Sequence, residues 1–92
     1  MKHLSNERAH DATSCTAGRL VGANLRDVRK GRGWSQTELG QRVGMGQATI
    51  SSIERGARCP SLSTLFLLAR ACEVETARLV RAPGEGIAEA PP

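Results

Sequence analysis

The sequence has few of the residues from which catalytic and metal sites are built. Its 92 residues include two histidines, both within the first ten, and three cysteines. The odd number of cysteines cannot pair evenly, no CxxC is present, and no Cys/His group has zinc-ligand spacing. His3, His10 and Cys15 are a conceivable metal set on a segment without a scaffold, and we interpret them as incidental. With no phosphate-cradling GxxxxGKS or GxxxxGKT motif either, we expect no metal, no cofactor and no enzyme.

Long apolar runs are also missing. No segment approaches the roughly 18 consecutive apolar residues that span a membrane, and the first residues lack the apolar stretch of a signal peptide. A chain of 92 residues forms at most one domain with a modest core, which leaves little room for a deep ligand pocket. We therefore expect a reduced, cytoplasmic setting of bacterial type, with no membrane and no small-molecule partner.

Positive charge, by contrast, is concentrated in the middle of the chain. Residues 19–81 hold eleven of the thirteen basic residues and five of the nine acidic ones, a net charge of +6. Residues 1–18 are neutral, and residues 82–92 carry only acidic charges. A basic segment of this kind suits a phosphate-bearing partner. Solubility alone is the alternative explanation, and charge by itself does not separate the two.

The pattern of apolar residues divides the chain into three parts. Residues 1–18 show no apolar period and predict a flexible arm, and the Ala/Pro/Gly/Glu-rich residues 82–92 predict a disordered tail. Residues 19–81 have helical periodicity interrupted by glycine or proline, and nothing in them alternates like a strand. We therefore predict an all-α domain over 19–81 with disordered extensions at both ends.

Five helices are predicted within this domain. The first, over about 19–30, places Val21, Leu25 and Val28 on one stripe. The second starts at a capping box in which Ser35 and Glu38 satisfy each other's backbone amides, and the third covers about 47–55. The fourth opens after Pro60 and Ser61, and the fifth covers about 76–81. The inward face predicted for the fourth helix consists of Leu62, Leu65, Leu68, Ala69 and Cys72.

Residues 35–54 carry the pattern most informative about function. Two short helices joined by a tight glycine-containing turn are the geometry of the DNA-binding helix-turn-helix. A small residue where the helices cross and a glycine able to take positive φ in the turn both fit that geometry. The seven positions that match are Leu39, Gly40, Val43, Gly44, Met45, Ile50 and Ile53. The joint pattern predicts a reading unit over 35–55.

Residues 20–80 resemble the phage-repressor/Cro/Xre family of helix-turn-helix domains. The resemblance is carried by LRDVR at 25–29, WSQTEL at 34–39, VGMGQATISSIERG at 43–56 and PSLSTL at 60–65. It implies a five-helix, lambda-repressor-like domain that binds duplex DNA. The sequence departs from the family pattern at three positions. They are Gly40, where alanine is usual and glycine costs about 0.5–1 kcal/mol of helix stability, Glu73, where glycine is usual, and Thr76, where an apolar residue is usual.

The outward face of the third helix is polar and free of acidic residues. Its expected exposed members are Gln47, Ala48, Thr49, Ser51, Ser52 and Arg55. A glutamine can bond adenine N6 and N7 as a bidentate pair, and apolar groups can contact thymine methyls. Together with the resemblance, this assigns base reading to Gln47, Ala48, Thr49 and Ser52. A solvated polar helix face is the alternative, and this helix alone does not exclude it.

A second set of residues is assigned to the DNA backbone. Gln36 begins the second helix, whose positive end can hold a phosphate, and the resemblance also gives it a contact with Gln47. Phosphate contacts set affinity and register without reading sequence. The full set assigned to phosphates is Gln36, Ser51, Arg55, Arg58 and Arg42, with Arg32 a weaker candidate. For any one of the arginines, an ordinary solvated side chain is the alternative.

The resemblance further implies a largely buried salt bridge between Arg29 and Glu54, which would fix the angle of the third helix. Leu67 points away from the inward face of the fourth helix and Phe66 lies at its margin. Together with Val80 they suggest a homodimer through the fourth and fifth helices. Such dimers bind half-sites about one DNA turn apart. The leading interpretation is a dimeric repressor or autoregulator that reads an inverted-repeat operator in the major groove. The alternative is an antitoxin or protein-interaction module with the same fold.

Overall fold

The computed structural model describes residues 2–82, with side chains from residue 16 onward. In that part of the chain every regular element is a helix, which confirms the predicted all-α fold. The five helices are α1 (Lys2–Gly31), α2 (Gln36–Val43), α3 (Gln47–Glu54), α4 (Leu62–Cys72) and α5 (Thr76–Val80). The predicted disordered tail lies outside the described residues from position 83 on.

The start of α1 differs from the sequence expectation. The helix begins at Lys2, whereas apolar periodicity placed its start near residue 19. Residues 2–17 contain neither glycine nor proline, so the chain has no signal that would break a helix before Gly18. The division of the chain into an arm, a domain and a tail stays a prediction.

The core is built from one face of each helix. Its fully buried side chains are Leu25, Leu39, Ile50, Ile53, Leu68, Leu79 and Cys72. Burial raises the pKa of the Cys72 thiol, and the positive charge of Arg32 acts in the opposite direction. The prediction for Leu62 was wrong, because this side chain is 65% exposed. Leu62 is the first residue of α4, one turn before the part of that helix that packs inward at Leu65.

Close approaches of the backbone explain two glycines. A Cβ on Gly22 in α1 would overlap the carbonyl oxygens of Ile53 and Glu54 in α3. A Cβ on Gly40 in α2 would overlap the carbonyl oxygen of Met45 in the following turn. Glycine at position 40 lowers helix stability, as expected from the sequence, but it also lets the chain turn tightly into α3.

Polar contacts made by Asn24 and Arg32 fix the C-terminal helices. Asn24 is buried within the apolar stripe of α1, and its amide donates to the carbonyl oxygens of Leu79 (2.9 Å) and Arg81 (2.8 Å). Glu73 ends α4 in the left-handed conformation, with φ of 60°. Arg32 donates to the Cys72 carbonyl at 2.5 Å and pairs with the Glu73 carboxylate at 3.2 Å. These contacts hold α4 and α5 against α1.

Candidate nucleic-acid interface

The α2–turn–α3 unit has the local geometry that the sequence predicts. The Ser35 hydroxyl accepts from the Glu38 amide at 3.0 Å, and the Glu38 carboxylate accepts from the Ser35 amide at 2.7 Å. Gly44 ends α2 in the left-handed conformation with φ of 78°. The capping box and the turn glycine are thus confirmed, and together they set where α3 begins.

The expected buried salt bridge anchors α3 to α1. The Arg29 guanidinium donates from Nε (2.6 Å) and one terminal nitrogen (3.0 Å) to the two oxygens of Glu54. Its other terminal nitrogen donates to the Trp34 carbonyl at 2.8 Å. The Arg29 and Glu54 side chains are 10% and 3% exposed. The hydrogen bonds to Glu54 raise the pKa of Arg29 above its ordinary value, although burial opposes that shift.

The first residues of α2 and α3 are joined through their side chains. The Gln47 amide donates to Oε1 of Gln36 at 2.6 Å, which confirms the contact expected from the resemblance. The Gln36 amide in turn donates to Oε1 of Glu54 at 3.0 Å. Sequence reasoning did not find this second bond, since residues 36 and 54 have no pairing signal in the chain. Gln47 is thereby held at the exposed start of α3.

The residues assigned to base reading all lie on α3, three of them at its start and Ser52 further along, and they differ in exposure. Gln47 and Ala48 are exposed, whereas Thr49, Ser51 and Ser52 are half-buried rather than fully exposed as expected. Thr49 lines a shallow cleft with Met45, Ile53 and the α3–α4 loop. Ser51 and Ser52 lie under Arg55, whose guanidinium nitrogens are 3.4 Å from both hydroxyl oxygens.

Three exposed arginines lie on or beside the reading unit. Among the side chains from residue 16 to 82, Arg42, Arg55 and Arg58 take part in no ion pair, whereas Arg29, Arg32 and Arg78 do. The guanidinium carbon of Arg42 lies 4.0 Å from the centroid of the Trp34 ring, a cation–π contact that the sequence analysis missed. Arg32, the weaker candidate, donates to the Cys72 carbonyl at the end of α4 and pairs with Glu73. Its assignment to a phosphate stays a prediction. Three guanidinium groups without an ion pair, beside an outward face of α3 that carries no acidic residue, suit an anionic partner.

Fold and surface together define a helix-turn-helix domain of the DNA-binding type. A helix-turn-helix family model, HTH_3, matches residues 25–79 of the sequence. The chain belongs to this family, which confirms the phage-repressor/Cro/Xre resemblance. Membership places the protein among DNA-binding regulators and not among enzymes.

Three similar proteins illustrate the range of the family. The chain is 42% identical over 62 residues to an uncharacterized HTH-type transcriptional regulator, y4dJ, of Sinorhizobium fredii. The aligned residues make up 67% of this chain and 80% of that protein. It is 40% identical over 47 residues to the antitoxin HipB of Escherichia coli, with 51% and 50% of the two chains covered. The crystal structure of the restriction-modification controller protein C.AhdI from Aeromonas hydrophila superposes with a TM-score of 0.65 at 32% identity, covering 67% of this chain and 94% of that one.

The described part of the chain contains neither a membrane-spanning helix nor a cluster of metal ligands. None of the helices there is both long and apolar enough to cross a membrane. Among the described side chains, no three His, Cys, Asp or Glu residues are grouped as metal ligands. The side chains of His3, His10 and Cys15 lie outside that set.

Proposed function

We propose that this protein is a sequence-specific regulator that lays α3 in the major groove of duplex DNA. The observation that carries the proposal is the exposed amide of Gln47 at the start of α3, held in place by Gln36. An α-helix fits the major groove, and base edges there are distinguished by side chains near the start of the reading helix. With this role, we expect the protein to act in the cytoplasm of a bacterium or of a phage-infected cell.

The proposed base readers differ in what they recognise. Gln47 bonds adenine N6 and N7 as a bidentate pair, a contact worth about 1–3 kcal/mol of discrimination. Ala48 and the methyl group of Thr49 contact thymine methyls. Ser52, one turn further along α3, is an adaptable second reader. Because these side chains are uncharged and mostly small, most of the binding energy must come from contacts outside the bases.

The proposed phosphate contacts supply that energy. Gln36 lies at the positive end of the eight-residue α2, where backbone amides attract anions. Arg55, Arg58 and Arg42 add unpaired positive charge around the reading unit, and the Ser51 hydroxyl is a further donor. Each phosphate neutralised by a cationic side chain releases counterions, so binding should weaken steeply as salt rises.

A homodimer through α4 and α5 completes the proposal. Phe66 and Leu67 are half exposed on α4, and Val80 is 43% exposed on α5. Leu62, expected inside, adds a fourth large apolar side chain to the exposed set. Exposed apolar side chains on two neighbouring helices suit an interface with a second copy of the chain, and a twofold pair of α3 helices would read an inverted repeat.

The regulatory role proposed is repression, including repression of the protein's own gene. The similarity to a restriction-modification controller protein favours a regulator of this size. The similarity to the antitoxin HipB favours the second candidate, an antitoxin or protein-interaction module that uses the fold to bind a partner protein. The neighbouring reading frame separates the two, since a toxin gene beside this one would favour the second.

Selection of bound sequences from random duplexes tests the proposed function. We expect a short enriched site with inverted-repeat symmetry and half-sites about one helical turn apart. A well-folded sample that enriches no sequence would leave the regulator proposal without support and favour the protein-binding module.

Replacing Arg55 by alanine should weaken binding to all duplexes alike. Because the proposed contact is to a phosphate, the base preferences should not change, and the slope of log affinity against log salt should fall by about one for each protomer bound. Fluorescence anisotropy titrations over a range of salt concentrations measure both quantities. Arg26→Ala, which removes an exposed arginine of α1 outside both the reading unit and the proposed dimer interface, is the matched control and should leave the slope unchanged.

Replacing Leu67 by glutamate should convert the dimer to a monomer, because a charge would be buried at the proposed apolar interface. Sedimentation equilibrium should give twice the 9.8 kDa chain mass for the unmodified protein and the single mass for the variant. Ala23→Glu places the same charge on an exposed position of α1 and should not change the mass. A monomeric unmodified protein would contradict the proposed dimer.

A further inference from the structure

A continuous chain of hydrogen bonds joins the buried ion pair to the proposed base reader. Oε1 of Glu54 accepts from Arg29 and from the Gln36 amide, each at 3.0 Å. Oε1 of Gln36 accepts from the Gln47 amide at 2.6 Å. A side chain that is 3% exposed is therefore connected through one intermediate to the exposed side chain at the start of α3.

The carboxylate at the end of this series of hydrogen bonds sets the direction in which each amide donates. An ionised carboxylate only accepts hydrogen bonds, whereas a carboxamide has an accepting end and a donating end. Gln36 must therefore turn its NH₂ group toward Glu54, which leaves its oxygen toward Gln47. Gln47 must then turn its own NH₂ group toward Gln36. Both oxygens of Glu54 accept from Arg29, and Oε1 also accepts from Gln36, so neither amide can reverse without losing a hydrogen bond.

The direction of the Gln47 amide decides which purine it matches. Adenine and guanine both present N7 as an acceptor in the major groove, but adenine has an N6 donor where guanine has an O6 acceptor. With one N–H held by Gln36, Gln47 still offers its oxygen and its second N–H, which together match adenine N6 and N7. A reversed amide would offer only N–H donors, which match guanine N7 and O6.

We propose that Glu54 is a specificity-determining positioning residue, which selects adenine over guanine by fixing the direction of the Gln36 and Gln47 amides. Glu54 touches no DNA in this scheme and acts through the two glutamines. The inference rests on the proposed function, in which Gln47 reads a base.

The Glu54→Gln variant tests the inference in DNA binding. A neutral amide at position 54 can donate as well as accept, so both directions of Gln36 become possible. We expect the preference for adenine over guanine to fall by about tenfold at one position in each half-site, within the range that a bidentate contact supplies. Preferences at the other positions should stay the same. Site selection and competition titrations, made at a temperature where all variants are folded, measure this.

Arg29→Lys is the matched control, because it disturbs the ion pair and lowers the stability of the protein but leaves the Glu54 carboxylate as the acceptor for Gln36. We expect this variant to be less stable and to keep its adenine preference. If Arg29→Lys relaxes the preference as much as Glu54→Gln does, the effect comes from the placement of α3, and the inference is overturned. Retention of the adenine preference in Glu54→Gln overturns it as well.

Nuclear magnetic resonance of the free protein gives a readout that needs no DNA. In the unmodified protein, the side-chain N–H of Gln47 that bonds Gln36 should exchange with solvent several-fold more slowly than its second N–H. The near-isosteric Gln36→Met should abolish this difference, and Glu54→Gln should reduce it although position 54 does not touch Gln47. An unchanged exchange pattern in Glu54→Gln contradicts the relay, and an unchanged pattern in Gln36→Met contradicts the bond between Gln36 and Gln47 on which the relay depends. If Glu54→Gln does not fold, the double variant Arg29→Met/Glu54→Leu gives the same readout, because it removes the carboxylate together with the buried charge that it pairs with. Absence of sequence-specific binding by the unmodified protein contradicts the proposed function instead.

Discussion

Replacing Glu54 by alanine is expected to destabilise the protein by about 3–5 kcal/mol, because the variant leaves the Arg29 guanidinium buried without its partner. Natural domains are stable by only about 5–15 kcal/mol, so this loss is a large part of the total. Urea denaturation followed by circular dichroism measures it as a fall in the midpoint at an unchanged slope.

The exposed ion pair between Asp27 and Arg78 provides the comparison. Its nitrogen and oxygen are 2.7 Å apart, close to the 2.6 Å of the buried pair, but the Asp27 side chain is 73% exposed. Exposed pairs contribute about 0–1 kcal/mol, so Asp27→Ala should change stability little. Equal losses of stability in Glu54→Ala and Asp27→Ala would mean that burial does not explain the contribution of the Arg29–Glu54 pair. The double variant Arg29→Met/Glu54→Leu should recover much of the stability, since it removes both buried charges.

Replacing Gly22 by alanine is the second large effect expected. Alanine is the better helix former by about 1 kcal/mol, yet its Cβ would overlap two carbonyl oxygens at the end of α3. Backbone atoms cannot rotate aside as a side chain can, so α1 and α3 must separate. Overpacking of this kind costs about 1–3 kcal/mol and sometimes more, and it would also move the reading helix.

Gly31→Ala, in the same helix, is the matched control because its Cβ would meet no atom within 4 Å. We expect Gly31→Ala to be neutral or slightly stabilising and Gly22→Ala to lower both the melting temperature and the DNA affinity. Melting is followed by circular dichroism, and affinity is measured at a temperature where both variants are folded. A Gly22→Ala protein as stable as Gly31→Ala would show that the two helices do not cross as closely as described.

Local signals account for most of what the sequence predicted correctly. The Ser35–Glu38 capping box, the positive φ of Gly44 and the burial of Ile50 and Ile53 each follow from residue types at short spacing. The Arg29–Glu54 pair spans 25 positions and came from the family resemblance, since no local rule joins the two residues.

Features that depend on contacts between distant segments were missed. The need for glycine at position 22 arises only where α1 meets the end of α3, and no property of α1 alone reveals it. Leu62 has the spacing of an inward residue but lies one turn before the packed part of α4. Asn24 did give a signal, because a polar residue inside an apolar stripe is expected to have a buried partner.

The central claim is that the start of α3 reads base pairs, and repeating the site selection with Gln47→Ala tests it most directly. Because alanine cannot form the bidentate contact, one position in each half-site should lose its preference, with about 1–3 kcal/mol of discrimination lost there. The spacing and symmetry of the selected site should remain. A Gln47→Ala protein that selects the same site as the unmodified protein, with the same preference at every position, would contradict the account.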